Sequence, residues 1–207
     1  MNLKAFFSSI IDKALRLMPG GIYGILSVVF ALIGDLIAYL LFPGYSMFLL
    51  TISDLGIGPG GFFFNLGIIL SGISALPFLV HVGRILNEEK TFERIRKFAV
   101  NTSIVSSISL ALIGFFPVYR EILIIVVIHF SLAVITFVGG FLYCTIFGFL
   151  IFKSQNLPKI LAYLSFFISG IFILFFIILT PFMEWIAMFG IMTWTLVMSS
   201  YTLYKKY

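Results

Sequence analysis

The chain has 207 residues, of which 61% are apolar, 18% aromatic and 10% charged, with a mean hydropathy of +1.19 and a formal net charge of +5. Soluble globular domains carry about a quarter charged residues, so this composition excludes a soluble enzyme and predicts an integral membrane protein of a single all-α domain. The lone cysteine, Cys144, excludes an intramolecular disulfide.

In the first stretch, residues 1–20, Leu3, Phe6, Phe7, Ile10, Ile11, Ala14 and Leu17 recur at helical spacing, with Lys4, Ser8, Asp12, Lys13 and Arg16 on the other side. This pattern predicts an amphipathic interfacial helix ended by Pro19-Gly20-Gly21. Residues 21–207 then read as a membrane domain with apolar runs at 22–42, 62–83, 98–116, 122–152, 160–180 and 185–203. Each is long enough to span a bilayer, so the expected architecture is a six-transmembrane-helix bundle. No small-residue cleavage pattern follows the first run, which is therefore expected to be a retained span. The fourth run would make a helix of about 46 Å against a hydrocarbon core of about 30 Å. It must tilt, protrude or kink, and Gly139-Gly140 is the expected place.

All of the 13 lysines and arginines except Arg120 fall on one side of these spans. By the positive-inside rule both termini are cytoplasmic, in a multi-pass protein of the cell membrane. The basic balance is thus a topology signal with anionic lipid as its partner, and nucleic acid is not expected. The mixed-charge segment 83–97 reads as a solvated cytoplasmic turn. Small residues three or four apart, such as Gly24, Ser27, Ala31, Gly34 and Ala38 in the first span, mark the faces on which the helices approach. Phe-rich faces such as 172–179 then look toward lipid, a partner membrane protein or a second copy.

The connection 43–61 is unusual. In "FPGYSMFLLTISDLG" (42–56), apolar side chains crowd a segment fenced by Pro43-Gly44 and by the glycines of 56–61. Irregular backbone at membrane depth persists only where protein buries it or where it lines a wet cavity. The expected form is a lid, with Ser46 capping a short interfacial helix laid on the bundle and Ser53-Asp54-Leu55-Gly56 turning inward.

The polar residues on the outer side define the candidate site. Asp35 and His129 each lie about 12 Å along their helices from the outer end, and both adjoin small-residue stripes. They are expected to face the interior and to hydrogen-bond each other, because a carboxylate in a span costs at least about 2.5 kcal/mol without a partner or a task. His129, Asp54 and Asp35 are the candidates for acid-base chemistry. Tyr45, Ser53, Asn65, Arg120 and Glu184 are the candidates for substrate binding, and Asp54 is expected to point at Asn65, His129 or a headgroup. Glu184 also suits the N-terminus of its helix on dipole grounds alone. No Gly-rich phosphate loop, "HExxH" or second nearby histidine is present, so neither a metal nor another cofactor is expected.

"FPGYS" (42–46), "TISDLG" (51–56), "FNLG" (64–67), "GFFP" (114–117) and His129 together resemble the prokaryotic membrane family called domain of unknown function 998, over nearly the whole chain. Asp54 stands where that family usually has Glu. More weakly, the "ISD-G" loop with a later intramembrane histidine resembles the DRAM-like six-span family. The first resemblance implies a six-span fold with no agreed activity, and the second implies lipid-related work. Three classes of function remain: a lipid or amphiphile bound in an outer pocket under the lid, with or without chemistry on its headgroup; a small proton-coupled transporter; or an accessory subunit of a membrane complex.

Overall fold

The computed structural model describes residues 3–86 and 92–207, without the side chains of residues 3–5. Glu88, Glu89 and Lys90 of the expected charged turn lie outside the described residues. The described chain is helical: α1 (Leu3–Leu17), α2 (Gly20–Leu40), a 3-10 helix (Ile52–Ile57), α3 (Gly61–Ile85), α4 (Glu93–Ile113), α5 (Leu123–Lys153), α6 (Lys159–Ile178) and α7 (Pro181–Tyr204). Each apolar run corresponds to one helix. Five of these, α2, α3, α5, α6 and α7, are long and apolar enough to cross a membrane.

The helix α4 is not among the five. It begins with Glu93, Arg94, Arg96 and Lys97 and then carries Asn101, Thr102 and four serines. Those serines, Ser103, Ser106, Ser107 and Ser109, are all buried, while Val105, Ile108 and Leu112 are exposed. The helix therefore turns its polar side inward and its apolar side out, the reverse of a soluble amphipathic helix.

Short connections make consecutive helices antiparallel neighbours. Here α2 to α7 each pack on the next in chain order, and α7 returns to pack on α2, closing a ring of six helices. The start of α2 meets the end of α7, where Gly21 lies against Ser199 and Thr202. One end of the ring consequently carries the ends of the chain, and the other carries the connections 41–60, 114–122 and 179–180. At the first of these ends α1 packs on α3, with Asp12 and Arg84 2.6 Å apart. Of its apolar residues Ile11 is buried, whereas Phe6, Ile10 and Leu17 are exposed.

Close packing of α2 on α3 depends on two facing glycines. A Cβ on Gly34 would stand 2.7 Å from the Phe63 carbonyl oxygen and 3.0 Å from the Gly67 Cα, which is backbone that cannot rotate away. Gly34→Ala should therefore destabilise the protein by about 1–3 kcal/mol. Gly170 in α6 has nothing within 4 Å of the corresponding position. There Gly170→Ala should stabilise by up to about 1 kcal/mol through helix propensity alone. Thermal unfolding in detergent checks both, and equal effects of the two substitutions would refute the close approach.

The helix α5 runs unbroken over 31 residues. Gly139-Gly140, the expected place of a kink, has a packing role. Gly139 faces Ser106 of α4 and Gly140 faces Phe172 of α6, at positions where a Cβ would come within 2.7 and 3.0 Å of them. The hydroxyl of Ser106 also donates to the Thr136 carbonyl at 2.9 Å. Only 17% of the most apolar window of α5 is buried, the lowest share among the five apolar helices.

Candidate functional site

The connection 41–60 is built around Tyr45. Its ring packs among Tyr39, Phe42 and Trp185. Its hydroxyl donates to the Thr51 carbonyl at 2.7 Å and accepts from the Trp185 indole at 3.0 Å. Burial pushes the phenol well above its usual value, so it remains a neutral donor that ties the loop to α7. Where a short helix capped by Ser46 is expected, the chain makes one turn, with the amides of Leu49 and Leu50 donating to the Ser46 carbonyl. Met47 and Leu50 pack on the core, whereas Phe48 and Leu49 are exposed and Phe48 stacks on Phe182 at 4.7 Å.

The regular element of this connection lies further on, as the 3-10 helix Ile52–Ile57. Thr51 precedes it, and both its backbone N–H and its hydroxyl donate to Oδ2 of Asp54 at 2.8 Å. The other carboxylate oxygen, Oδ1, takes the Arg120 guanidinium at 2.6 Å. Asp54 is thus a buried bracket joining the start of this short helix to the 114–122 connection. It points at Thr51 and Arg120, where Asn65, His129 or a headgroup is the expected partner. The Asn65 amide instead donates to the Gly56 carbonyl at 2.9 Å and closes the far end of the same helix.

Asp35 and His129 are not brought together. Their helices, α2 and α5, stand three places apart in a ring of six, which is its full width. Both oxygens of Asp35 are buried, without a hydrogen-bond partner among the described residues. His129 uses Nδ1 at 2.7 Å from the Phe116 carbonyl. A carbonyl only accepts, so Nδ1 carries the proton and the neutral ring keeps its lone pair on Nε2. Spacing gives a position along each helix, but the angular position around the ring decides contact, and spacing does not contain it.

Two cavities follow from this arrangement. A small one of about 60 Å³ lies at the centre of the ring, among Ser27, Ser71, Ser106, Ser107, Thr136 and Thr195. Ser27 and Ser71 are hydrogen-bonded there at 3.1 Å. The larger, of about 630 Å³, lies at the end bearing the 41–60 connection, between α5, α6 and the start of α7. Thr51, Ser53, Arg120, His129, Thr180 and Glu184 line its polar end. Its wall is apolar: Val126, Phe130, Ala133, Val134, Phe137 and Val138 from α5, with Phe175, Phe176 and Leu179 from α6. Phe130, Val134 and Leu179 are also exposed, so the wall is open at the side of the ring. Phe137 lines both cavities and packs on Phe175 at 4.8 Å, forming the partition between them.

The expected site residues thereby divide. His129, Ser53, Arg120 and Glu184 reach the large cavity, and Tyr45, Asn65 and Asp54 hold the connection that borders it. Asp35 stands apart. Thr51 and the phenylalanine wall were missed from the sequence. Thr51 was legible, because a Thr followed three residues later by an acid is a capping signature. The wall was hidden because phenylalanines facing a cavity and those facing lipid have the same spacing. Among the described residues no three His, Cys, Asp or Glu side chains converge as metal ligands do.

Residues 25–201 match a family model described as Protein of unknown function (DUF998). No curated protein and no solved structure matches the chain.

Proposed function

The chain belongs to the DUF998 family, and we propose that it is a six-span membrane protein that binds a lipid or other amphiphile in the large cavity. The observation that carries this reading is the cavity's division into a polar end and a long apolar wall open at the side, the shape and chemistry of an amphiphile site. Its polar end lies level with helix termini, where headgroups sit, and its wall lies where acyl chains run. The count of six rests on α4, whose buried serines and exposed Val105, Ile108 and Leu112 suit a helix with lipid outside and a polar ring interior within. The basic residues then place the chain ends in the cytoplasm and the cavity on the outer side. The exposed Phe6, Ile10 and Leu17 of α1 would lie in the inner interface.

Of the three acid-base candidates, His129 is the one that lines the large cavity, and its Nε2 is uncommitted there. Its Nε2 could take a proton from a headgroup hydroxyl or ammonium, whereas both oxygens of the Asp54 carboxylate are already engaged, by three donors in all. Binding is therefore the function proposed, with proton transfer by His129 as the chemistry open to it.

Native mass spectrometry of gently extracted protein tests the reading. The intact chain should retain an amphiphile, and Ala133→Trp, which places an indole on the cavity wall, should cut the retained fraction at least about tenfold, as expected when a bound chain loses its space. Equal retention by the variant would remove the large cavity as the binding site.

A further inference from the structure

The polar end of the large cavity is biased toward acceptors. Arg120 and Asp54 neutralise each other at 2.6 Å, and the second Asp54 oxygen is filled by both Thr51 donors. Thr180 already accepts, weakly, from the Met183 amide. What remains is the carboxyl group of Glu184 and the Nε2 lone pair of His129, beside the hydroxyls of Ser53 and Thr180, which can turn to donate or to accept, all lining the same cavity. Glu184 is buried, with the Ile52 backbone N–H close to its carboxyl group and, among the described residues, no other donor to that group. A carboxylate has room for about four donors, so most of its capacity is unfilled. His129 is fixed with Nδ1 as donor to the Phe116 carbonyl, which leaves Nε2 able only to accept while the ring is neutral.

The charges agree with the hydrogen bonds. Asp54 and Glu184 stand near the Arg120 guanidinium, which Asp54 already pairs, so with Glu184 ionised one negative charge is uncompensated. An anionic headgroup would add a second beside them. Arg120 offers it little in return, because its guanidinium is already paired and its side chain is 67% exposed to screening solvent.

Resting on the reading that the cavity holds an amphiphile, we propose that its ligand carries a primary ammonium, seated between the Glu184 carboxylate and His129 Nε2. The ammonium supplies three N–H donors where the protein offers acceptors, and one positive charge where one negative charge is in excess. Its hydrocarbon chain follows Phe130, Ala133 and Val134 along α5. Such a group is found on a free long-chain amine and on the ethanolamine headgroup of a phospholipid, and the two present the same chemistry to Glu184.

Competition binding of the full chain in neutral maltoside micelles, read by native mass spectrometry, tests this with probes of one twelve-carbon chain. They are dodecylamine, dodecyltrimethylammonium, dodecanol, dodecyl phosphate and the matching lysophosphatidylethanolamine. Dodecylamine should bind at least about tenfold more tightly than dodecanol or dodecyl phosphate, as a charge-assisted hydrogen bond gives. It should also exceed dodecyltrimethylammonium, which has the charge without the N–H donors. Glu184→Gln should erase the preference for the amine over dodecanol while dodecanol binding persists. The ranking in the unaltered protein stands as a test even if that variant does not fold. Lysophosphatidylethanolamine matching dodecylamine would identify a phospholipid as the source, and binding by the amine alone would identify a single-chain base. If dodecanol or the phosphate binds as well as the amine, and Ala133→Trp weakens them all, the ammonium is overturned while the amphiphile site stands. If no probe competes, or Ala133→Trp changes nothing, the amphiphile site falls and the ammonium with it.

Discussion

Asp54→Ala should destabilise the protein by about 3 kcal/mol, because it strands the Thr51 backbone N–H and hydroxyl in a buried place, at about 1–3 kcal/mol for an unsatisfied donor. Both donate to Oδ2 at 2.8 Å. The Arg120 contact adds less, about 1 kcal/mol at most, since the guanidinium is largely in solvent. Asp54→Asn should lie between the two forms. Its side-chain oxygen can still accept from Thr51, but its amide N–H groups face the Arg120 donors and must turn away. Thermal unfolding and limited proteolysis within 41–60 would both report the change, the second appearing at lower temperature than the first because the short helix opens locally before the ring does. An Asp54→Ala protein with unchanged melting and no new cleavage would show that Tyr45 and Asn65 hold the connection without it. This result also separates Asp54 from the binding residues: its removal should weaken a bound amphiphile only as far as the loop opens, whereas Glu184→Gln should act without melting the loop.

The helices were legible because bilayer thickness forces a length and a composition that few other constraints imitate. The run 62–83 became Gly61–Ile85 and the run 122–152 became Leu123–Lys153. The small-residue stripe was legible for the same kind of reason, since Gly34 and Gly67 meet as backbone on backbone. The site was legible in part. Several residues that line the large cavity stand out in the sequence because polar side chains among apolar runs are conspicuous, but their contacts depend on neighbours that are remote in sequence. Tyr45 meets Trp185 across 140 positions and Asp54 meets Arg120 across 66. A sequence read by depth supplies one coordinate of each residue, whereas the order of helices around the ring supplies the other.

Asp35 is where that missing coordinate has its largest consequence. The residue is 4% exposed, and neither carboxyl oxygen has a hydrogen-bond partner among the described residues. In either protonation state it forfeits hydrogen bonds it would make to water, and an ionised form would add the cost of an unpaired buried charge. Leucine has the same number of side-chain heavy atoms and the same branching, so Asp35→Leu removes that penalty with little change of shape. The expected result is a gain of about 2 kcal/mol or more in stability. His129→Leu, in contrast, strands the Phe116 carbonyl and should cost about 1–2 kcal/mol. Because α2 and α5 face each other across the ring without packing together, the double variant should equal the two single effects combined to within about 0.5 kcal/mol. An interaction larger than about 1 kcal/mol would show that the two groups communicate through the ring interior. A fall in stability with Asp35→Leu alone would show that the carboxyl group has a partner in the membrane, and the central cavity of hydroxyls one turn away at Ala31 is where that partner would have to bind.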